Sequence, residues 1–583
     1  ALLRQSGTFS SHQKVEERVM DSNDIEKERG ITIFSKNASI KYGDYKINIV
    51  DTPGHADFGG EVQRILKMVD SVLLLVDAFE GVMPQTKYVL KQALEHGLQP
   101  IVVINKIDRP NSSPEQIVDS VFDLFVELGA NELQLDFPVV YASAKGGYAK
   151  LSLEDENVNM KALFDLIIEK VDDPSGDENL PLQMQITNTE YDDYVGKLGT
   201  GRIYNGSITR NEEVAVIKRN GEVIKSKIGR IYLYEGLKRV EVQTAYAGDI
   251  VTIAGIDKID IGETISDKDE IKAMPLIAID EPTLSMTFMV NSSPFAGKDG
   301  KYITSRNILE RLEKEVNHNV SMRLEMTDSP DAFIVKGRGE LQLSILLENM
   351  RREGYEVAVS RPEVIIKVED GVKKEPIEHV TVDVSDEFVI EKLGQRKGEL
   401  LNMVQGTDGY TRLEFKVPSR GLLGFANEFL TETRGTGILN HTFLDYEKYK
   451  GDIVTGKKGA LIAMESGTSL GYALNNLQPR GILFVEPGDE VYEGMIVGEH
   501  TKENDLVVNT CKGKKLTNMR AAGSDDNIKL APAKKFTLEL ALEYISDDEL
   551  VEITPNHLRL RKKYLSELDR RKLRNQIDRN LDN

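Results

Sequence analysis

Between residues 31 and 171, apolar runs of strand length alternate with longer amphipathic stretches, a pattern that predicts a mostly parallel sheet covered by helices. Residues 31–42 and 45–51 read as strands turned about Gly43 and Asp44, since two residues led by glycine make a tight hairpin. A helix over 60–70, a strand over 71–77, a helix over 84–96 and a strand over 100–108 follow. The next helix is signalled chemically: Ser113 stands as N-cap, Pro114 at the first helical position, and Gln116 where a capping box closes. A strand over 137–144 and a helix over 160–171 complete the series.

The acidic stretch 172–179, with its Pro and Gly, reads as a linker. Beyond it, from 182 to about 267, short β-rich runs recur between glycine turns and predict a small barrel. Residues 284–367 read strand, helix, strand, strand, helix, strand; Leu343, Leu346, Leu347 and Met350 stripe the second helix and Gly354 stops it. The order returns over 378–446, with helices near 386–403 and 421–431, so two ferredoxin-like units are expected. Residues 451–583 mix β-like segments with a terminal helix opened by Thr554 and Pro555, and the pattern defines no fold for them. The expected domains are 1–179, 180–280, 281–367, 368–450 and 451–583.

Four motifs follow in order: Arg29 to Ile33 (RGITI), Asp51 to His55 (DTPGH), Asn105 to Asp108 (NKID) and Ser143 to Lys145 (SAK). The last three fall at the carboxyl ends of predicted strands, the edge where open α/β sheets bind ligands. Asp108 offers two oxygens to the N1 and N2 hydrogens of guanine, a pair that adenine lacks. Lys106 can lay its stem along the base, Asn105 can tie neighbouring loops, and Ser143 with Ala144 can aim N–H groups at the guanine oxygen. The Thr32 hydroxyl suits direct coordination of magnesium and Asp51 suits it through water. Gly54 lets backbone approach a terminal phosphate, and His55 beside it can orient a water for in-line attack. Each motif alone is common by chance; their joint order points to a guanine-nucleotide site.

No GxxxxGK[ST] phosphate loop occurs in the chain. GDIVTGK at 451–457 meets Lys458 where Ser or Thr is needed, and reads as a turn. The expectation is that strand and loop lie ahead of Ala1; a chain truly beginning there should fail to bind GTP tightly.

The charge narrows the partners. With 74 Lys and Arg against 95 Asp and Glu, the net charge of −21 argues against indiscriminate binding of polyanions. Basic residues gather in two places: Lys512, Lys514, Lys515 and Arg520, and, along the predicted terminal helix, Arg559, Arg561, Lys562, Lys563, Arg570, Arg571, Lys572 and Arg574. A solvated face with Glu567 paired to Arg570 or Arg571, and an RNA contact, are both open readings. The one cysteine, Cys511, cannot form an internal disulfide and fits a reducing cell interior. No run approaches the ~18 apolar residues that cross a bilayer, so no membrane is expected.

These motifs resemble the translational GTPases, the superfamily of elongation factor G. EKERGITI at 26–33 and DTPGHADFGGEV at 51–62 are similar to its switch regions, and NKID and SAK to its guanine-reading loops, which adds Lys145 to the nucleotide contacts. GTGRIYNGSI at 199–208 is similar to its barrel domain, and the segment 337–357 to its third domain. The stretches 418–443 and 477–500 resemble the BipA (TypA) family, which carries its own C-terminal domain. The resemblance implies a multidomain α/β and β chain: a P-loop-type GTPase domain, a β-barrel, two ferredoxin-like domains and a family-specific C-terminal domain. It further implies GTP or GDP with Mg2+ as cofactors, and a cytoplasmic monomer that binds the 70S ribosome, ribosomal RNA and an A-site tRNA end. GTP hydrolysis would serve stress adaptation and large-subunit assembly. Two alternatives stand beside it, a non-enzymatic ribosome or RNA-binding factor and a LepA-like translocation factor.

Overall fold

The computed structural model describes residues 2–6, 20, 24–29, 32–53, 59–192, 194–256, 258–277, 281–319, 321–384, 388–405, 411–434, 437–453, 458–513 and 529–581. The chain divides into two compact units, residues 1–281 with 317–321, and residues 282–316 with 322–583.

In the first unit the hairpin forms as its turn predicts. Lys36–Tyr42 pairs antiparallel with Tyr45–Asp51, Tyr42 opposite Tyr45, and Gly43 takes φ +58° at the turn. A second sheet runs Ser71–Asp77, Gln99–Asn105, Val139–Ser143, all parallel, then Tyr148–Lys150 antiparallel. Gln99–Asn105 is buried on both faces, as an inner parallel strand should be. Ile101 and Val103 join a core with Val140, Leu163 and Phe164, whereas Val102 and Ile104 point the other way into a core with Val76, Leu90 and Phe125. Helices Gly59–Leu66, Pro84–Glu95, Pro114–Glu127 and Lys161–Lys170 accompany these strands.

One cap departs from its sequence signal. Pro114 does start the helix, but the Ser113 side chain makes no cap bond, so no capping box forms there; the Ser113 N–H is instead drawn to Ala78 O at 3.0 Å. A full capping box stands further on, at Asn131 and Gln134.

The β-rich run forms an eight-stranded antiparallel sheet around Met184, Ile186, Ile203, Val251 and Ile265. It is fastened to the nucleotide-side elements within this unit. Ser39 and Gly236 exchange backbone hydrogen bonds of 3.0 and 2.8 Å. Arg202, almost wholly buried, donates to Met68 O at 3.1 Å and to Asp70 at 2.7 Å, and the Tyr204 hydroxyl donates to Lys67 O at 2.6 Å.

The second unit contains both split βαβ repeats. The first orders its strands Arg323–Met326, Ala332–Gly337, Leu284–Val290, Val357–Val359, with helices Ser305–His318 and Glu340–Glu353 between them in sequence. Gly354, at φ +95°, caps the second helix where a left-handed residue was required. This sheet does not stop at Val357–Val359: Glu549–Ile553 pairs with that strand, and Leu558–Lys562 continues it. The second repeat shows the same order, Glu399–Gln405, Thr411–Pro418, Val372–Val384, Ile438–Lys448.

Two sequence expectations fail here. The helix read over 386–403 ends at Gln395, because Lys397 turns at φ +66° and Glu399–Gln405 pairs as a strand. Thr554 and Pro555 do not open the terminal helix. The Thr554 hydroxyl accepts the His557 N–H at 2.9 Å in a turn between strands, and the helix is Glu567–Leu581. Among the described residues no helix is long and apolar enough to cross a membrane.

Candidate functional site

The carboxyl ends of Ser71–Asp77, Gln99–Asn105 and Val139–Ser143 bring three loops to one edge. Parallel pairing sets Asp77 beside Asn105 and Asn105 beside Ala142, so the NKID and SAK residues become neighbours. The Asn105 Oδ1 accepts the Ala144 N–H at 3.1 Å, tying the loops as the sequence predicted. Ile107 N–H donates to Ala142 O at 3.3 Å, and Ala78 N–H to Asn105 O at 2.8 Å. Ser143 is buried, and its hydroxyl accepts the Gly146 N–H at 2.9 Å. Asp108, Ala144 and Lys145 face solvent.

Lys106 adopts φ +63°, a left-handed conformation that costs about 1–3 kcal/mol in a residue with a side chain. Asp77 supplies an anchor for it: Lys106 Nζ lies 2.5 Å from Asp77 Oδ2, while Oδ1 accepts the N–H of Phe79 at 2.9 Å and of Glu80 at 3.3 Å. Burial alone would raise the Asp77 carboxyl, but Lys106 and the two N–H groups outweigh it and hold it below the ordinary value. No sequence motif contained Asp77. Its signal was only its position, an acid ending an apolar strand next to the NKID strand. Gln5 was likewise unforeseen; it donates to Gly147 O at 2.6 Å and accepts the Met160 N–H at 2.8 Å, bracing the 143–147 loop.

On the phosphate side, Asp51 ends its strand opposite Lys36, half-buried, and Thr32 is half-buried ahead of the hairpin. Gly54 and His55 lie outside the described residues, as does part of 451–457. Among the described residues no group of three or more His, Cys, Asp or Glu is set to hold a metal ion. The hydroxyl and carboxylate oxygens of Thr32 and Asp51 suit magnesium, which takes one or two protein oxygens and completes its shell with phosphate and water.

The basic C-terminal cluster is not a single exposed face. Arg559, Arg561 and Lys562 lie on a strand. Arg559 pairs with Glu552 at 3.1 Å, and buried Lys562 is ringed by Asp505, Asp548 and Glu549 at 2.8–2.9 Å. Arg570 is buried against Tyr564 O at 3.0 Å, and Arg571 pairs with Glu567 at 2.5 Å. Lys512 is exposed, whereas Lys514, Lys515 and Arg520 lie outside the described residues.

Comparison with known families agrees with this layout. Residues 1–173 match the elongation factor Tu GTP binding domain, residues 196–266 elongation factor Tu domain 2, and residues 372–456 the elongation factor G C-terminus. Fold and site thus define a GTP-hydrolysing enzyme of the translation-factor type. Residues 458–567 match the TypA/BipA C-terminal domain. The chain is 55% identical to the large ribosomal subunit assembly factor BipA of Haemophilus influenzae, over 98% of this chain and 94% of that protein. It is 53% identical to the protein of that name from Bacillus subtilis, over 98% and 94%, and 54% identical to that of Escherichia coli K12, over 98% and 95%. The chain belongs to the BipA (TypA) family.

Proposed function

We propose that the protein is a ribosome-stimulated GTPase that binds the 70S ribosome in its GTP form and serves assembly of the large ribosomal subunit and translation under stress. One observation carries this reading: relatives matched over 98% of the chain at 53–55% identity are named large ribosomal subunit assembly factors. In the proposed site Asp108 accepts from the guanine N1 and N2 hydrogens, the Lys106 stem covers the base, Asn105 ties the loops, and Ser143, Ala144 and Lys145 face the guanine oxygen. Gly54 donates its N–H to the terminal phosphate, and Thr32 and Asp51 hold magnesium, which when bound offsets phosphate charge. His55 orients the attacking water once ribosomal RNA brings it into place. The protein acts as a cytoplasmic monomer, and its C-terminal domain reaches toward an A-site tRNA end.

Steady-state GTP hydrolysis with and without 70S ribosomes tests the reading. Turnover should rise at least tenfold with ribosomes, and His55→Ala should lose that rise while retaining GDP affinity. Equal turnover with and without ribosomes would contradict it.

A further inference from the structure

Two carboxylates from different elements grip the segment that follows Thr32. Glu26, wholly buried in the short helix Asp24–Arg29, accepts the N–H of Ile33 at 2.9 Å and of Phe34 at 3.0 Å on Oε1. Its Oε2 pairs with Lys36. Glu61, in the first turn of Gly59–Leu66, accepts the Ser35 N–H at 3.0 Å on Oε2, and its Oε1 faces the buried guanidinium of Arg64 at 3.8 Å. Three successive N–H groups after Thr32 are therefore given to carboxylates, although regular strand pairing begins only at Lys36. Buried acids are expensive unless charge-assisted hydrogen bonds reward them. Burial pushes Glu61 up, Arg64 and the Ser35 N–H oppose this, and the nearby Glu26 adds to the rise. The bond from Glu61 also crosses 26 residues of sequence, from the helix after the DTPGH motif to the segment after RGITI.

We infer that Glu61, acting with Glu26, is a positioning residue that couples the Thr32 segment to the helix following Asp51–His55, so that the two rearrange together when a γ-phosphate is bound. This rests on the proposed reading of Thr32 and Gly54 as the phosphate-side residues. A coupling device needs differential contact with two states, and here one hydrogen bond joins both phosphate-sensing segments. The base-reading loops are held by other bonds, among Asn105, Ala144, Ser143 and Asp77. Loss of Glu61 should accordingly weaken GTP and spare GDP.

The test uses the full chain, with dissociation constants for fluorescent GDP and a non-hydrolysable GTP analogue, and tryptic cleavage after Lys27 and Arg29. Glu61→Ala should lower affinity for the analogue about tenfold, the worth of one hydrogen bond to a charged group, and GDP affinity by less than about twofold. The analogue should slow cleavage in the wild type and not in Glu61→Ala. Glu61→Gln, which keeps an acceptor for Ser35, should recover most of the affinity. Ser35→Pro, which removes the donor and keeps the buried acid, should repeat the split and serves should Glu61→Ala unfold. Equal losses for both nucleotides, or an unchanged ratio between them, would overturn the coupling alone. A wild type that binds neither nucleotide would overturn the nucleotide reading and the coupling with it.

Discussion

Glu552 offers the sharpest test of how the C-terminal residues are built into the second unit. Its carboxylate is wholly buried and accepts from the Tyr492 hydroxyl at 2.5 Å, Ser293 Oγ at 2.9 Å, Asn291 Nδ2 at 3.2 Å and Arg559 Nη1 at 3.1 Å. Burial, then the neighbouring carboxylate, pushes the Tyr492 phenol far above its ordinary value, so it stays a donor at neutral pH. Glu552→Ala strands Arg559 and three neutral donors. Removing one partner of a buried ion pair costs about 3–5 kcal/mol, and the neutral donors can partly re-solvate, so ~4 kcal/mol is expected. Native-state amide exchange reads this locally: the pairing of Val357–Val359 with Glu549–Ile553 should open about a thousandfold more often. Glu552→Gln, which keeps an acceptor without the charge, should fall between. An acceleration below about tenfold in Glu552→Ala would refute the reasoning.

Three further outcomes follow from the same physics. Glu543, pushed up to about 7 by burial and then by Glu539, is favoured neutral in the folded state. Its contribution is therefore full below the ordinary carboxyl value and lost as pH rises through about 7. Glu543→Gln should stabilise the protein at pH 8 by about 3 kcal/mol and leave it almost unchanged at pH 4, as paired thermal melts would report. Gly201→Ala places a Cβ 1.9 Å from Gln185 O inside the eight-stranded sheet, and denaturant titration should show a loss of at least ~3 kcal/mol. Asn105→Ala removes the acceptor for the Ala144 N–H and should weaken GDP about tenfold by equilibrium titration, with the melting temperature little changed.

The parallel sheet was legible because inner strands such as Gln99–Asn105 carry an unbroken apolar run, Pro100 to Ile104, and their helices carry clear periodicity. The split βαβ units were legible for the same reason, with Gly354 marking a helix end by its conformational freedom. Glu399–Gln405 was misread because Leu400, Leu401, Met403 and Val404 mimic a helical stripe, whereas the strand exposes them at a sheet edge. The Thr554-Pro555 pair carries a helix-start signal but sits in the turn after Glu549–Ile553, whose pairing joins Val551 to Val359 across 192 residues, a long-range contact that no local pattern announces. Likewise the basic run 559–563 left open both a solvated helix face and an RNA contact, whereas in the fold residues 559–562 lie on a strand with Asp505, Asp548 and Glu549 closed on Lys562. At this edge the Asn105 tie to the Ala144 N–H was readable from its chemistry, while the supports Asp77 and Gln5 lie in no motif, and Glu26 and Glu61, although inside the motifs at 26–33 and 51–62, show their bonds only in the folded geometry.

The central claim is that the edge formed by Asn105–Asp108 and Ser143–Lys145 reads guanine, and competition against fluorescent GDP tests it most directly. GTP should displace the probe and ATP should not, even at a hundredfold excess. Asp108→Asn, which replaces an acceptor by a donor, should lose GDP and gain xanthosine diphosphate. Displacement by ATP as effective as that by GTP, or an Asp108→Asn variant with unchanged base preference, would contradict the account.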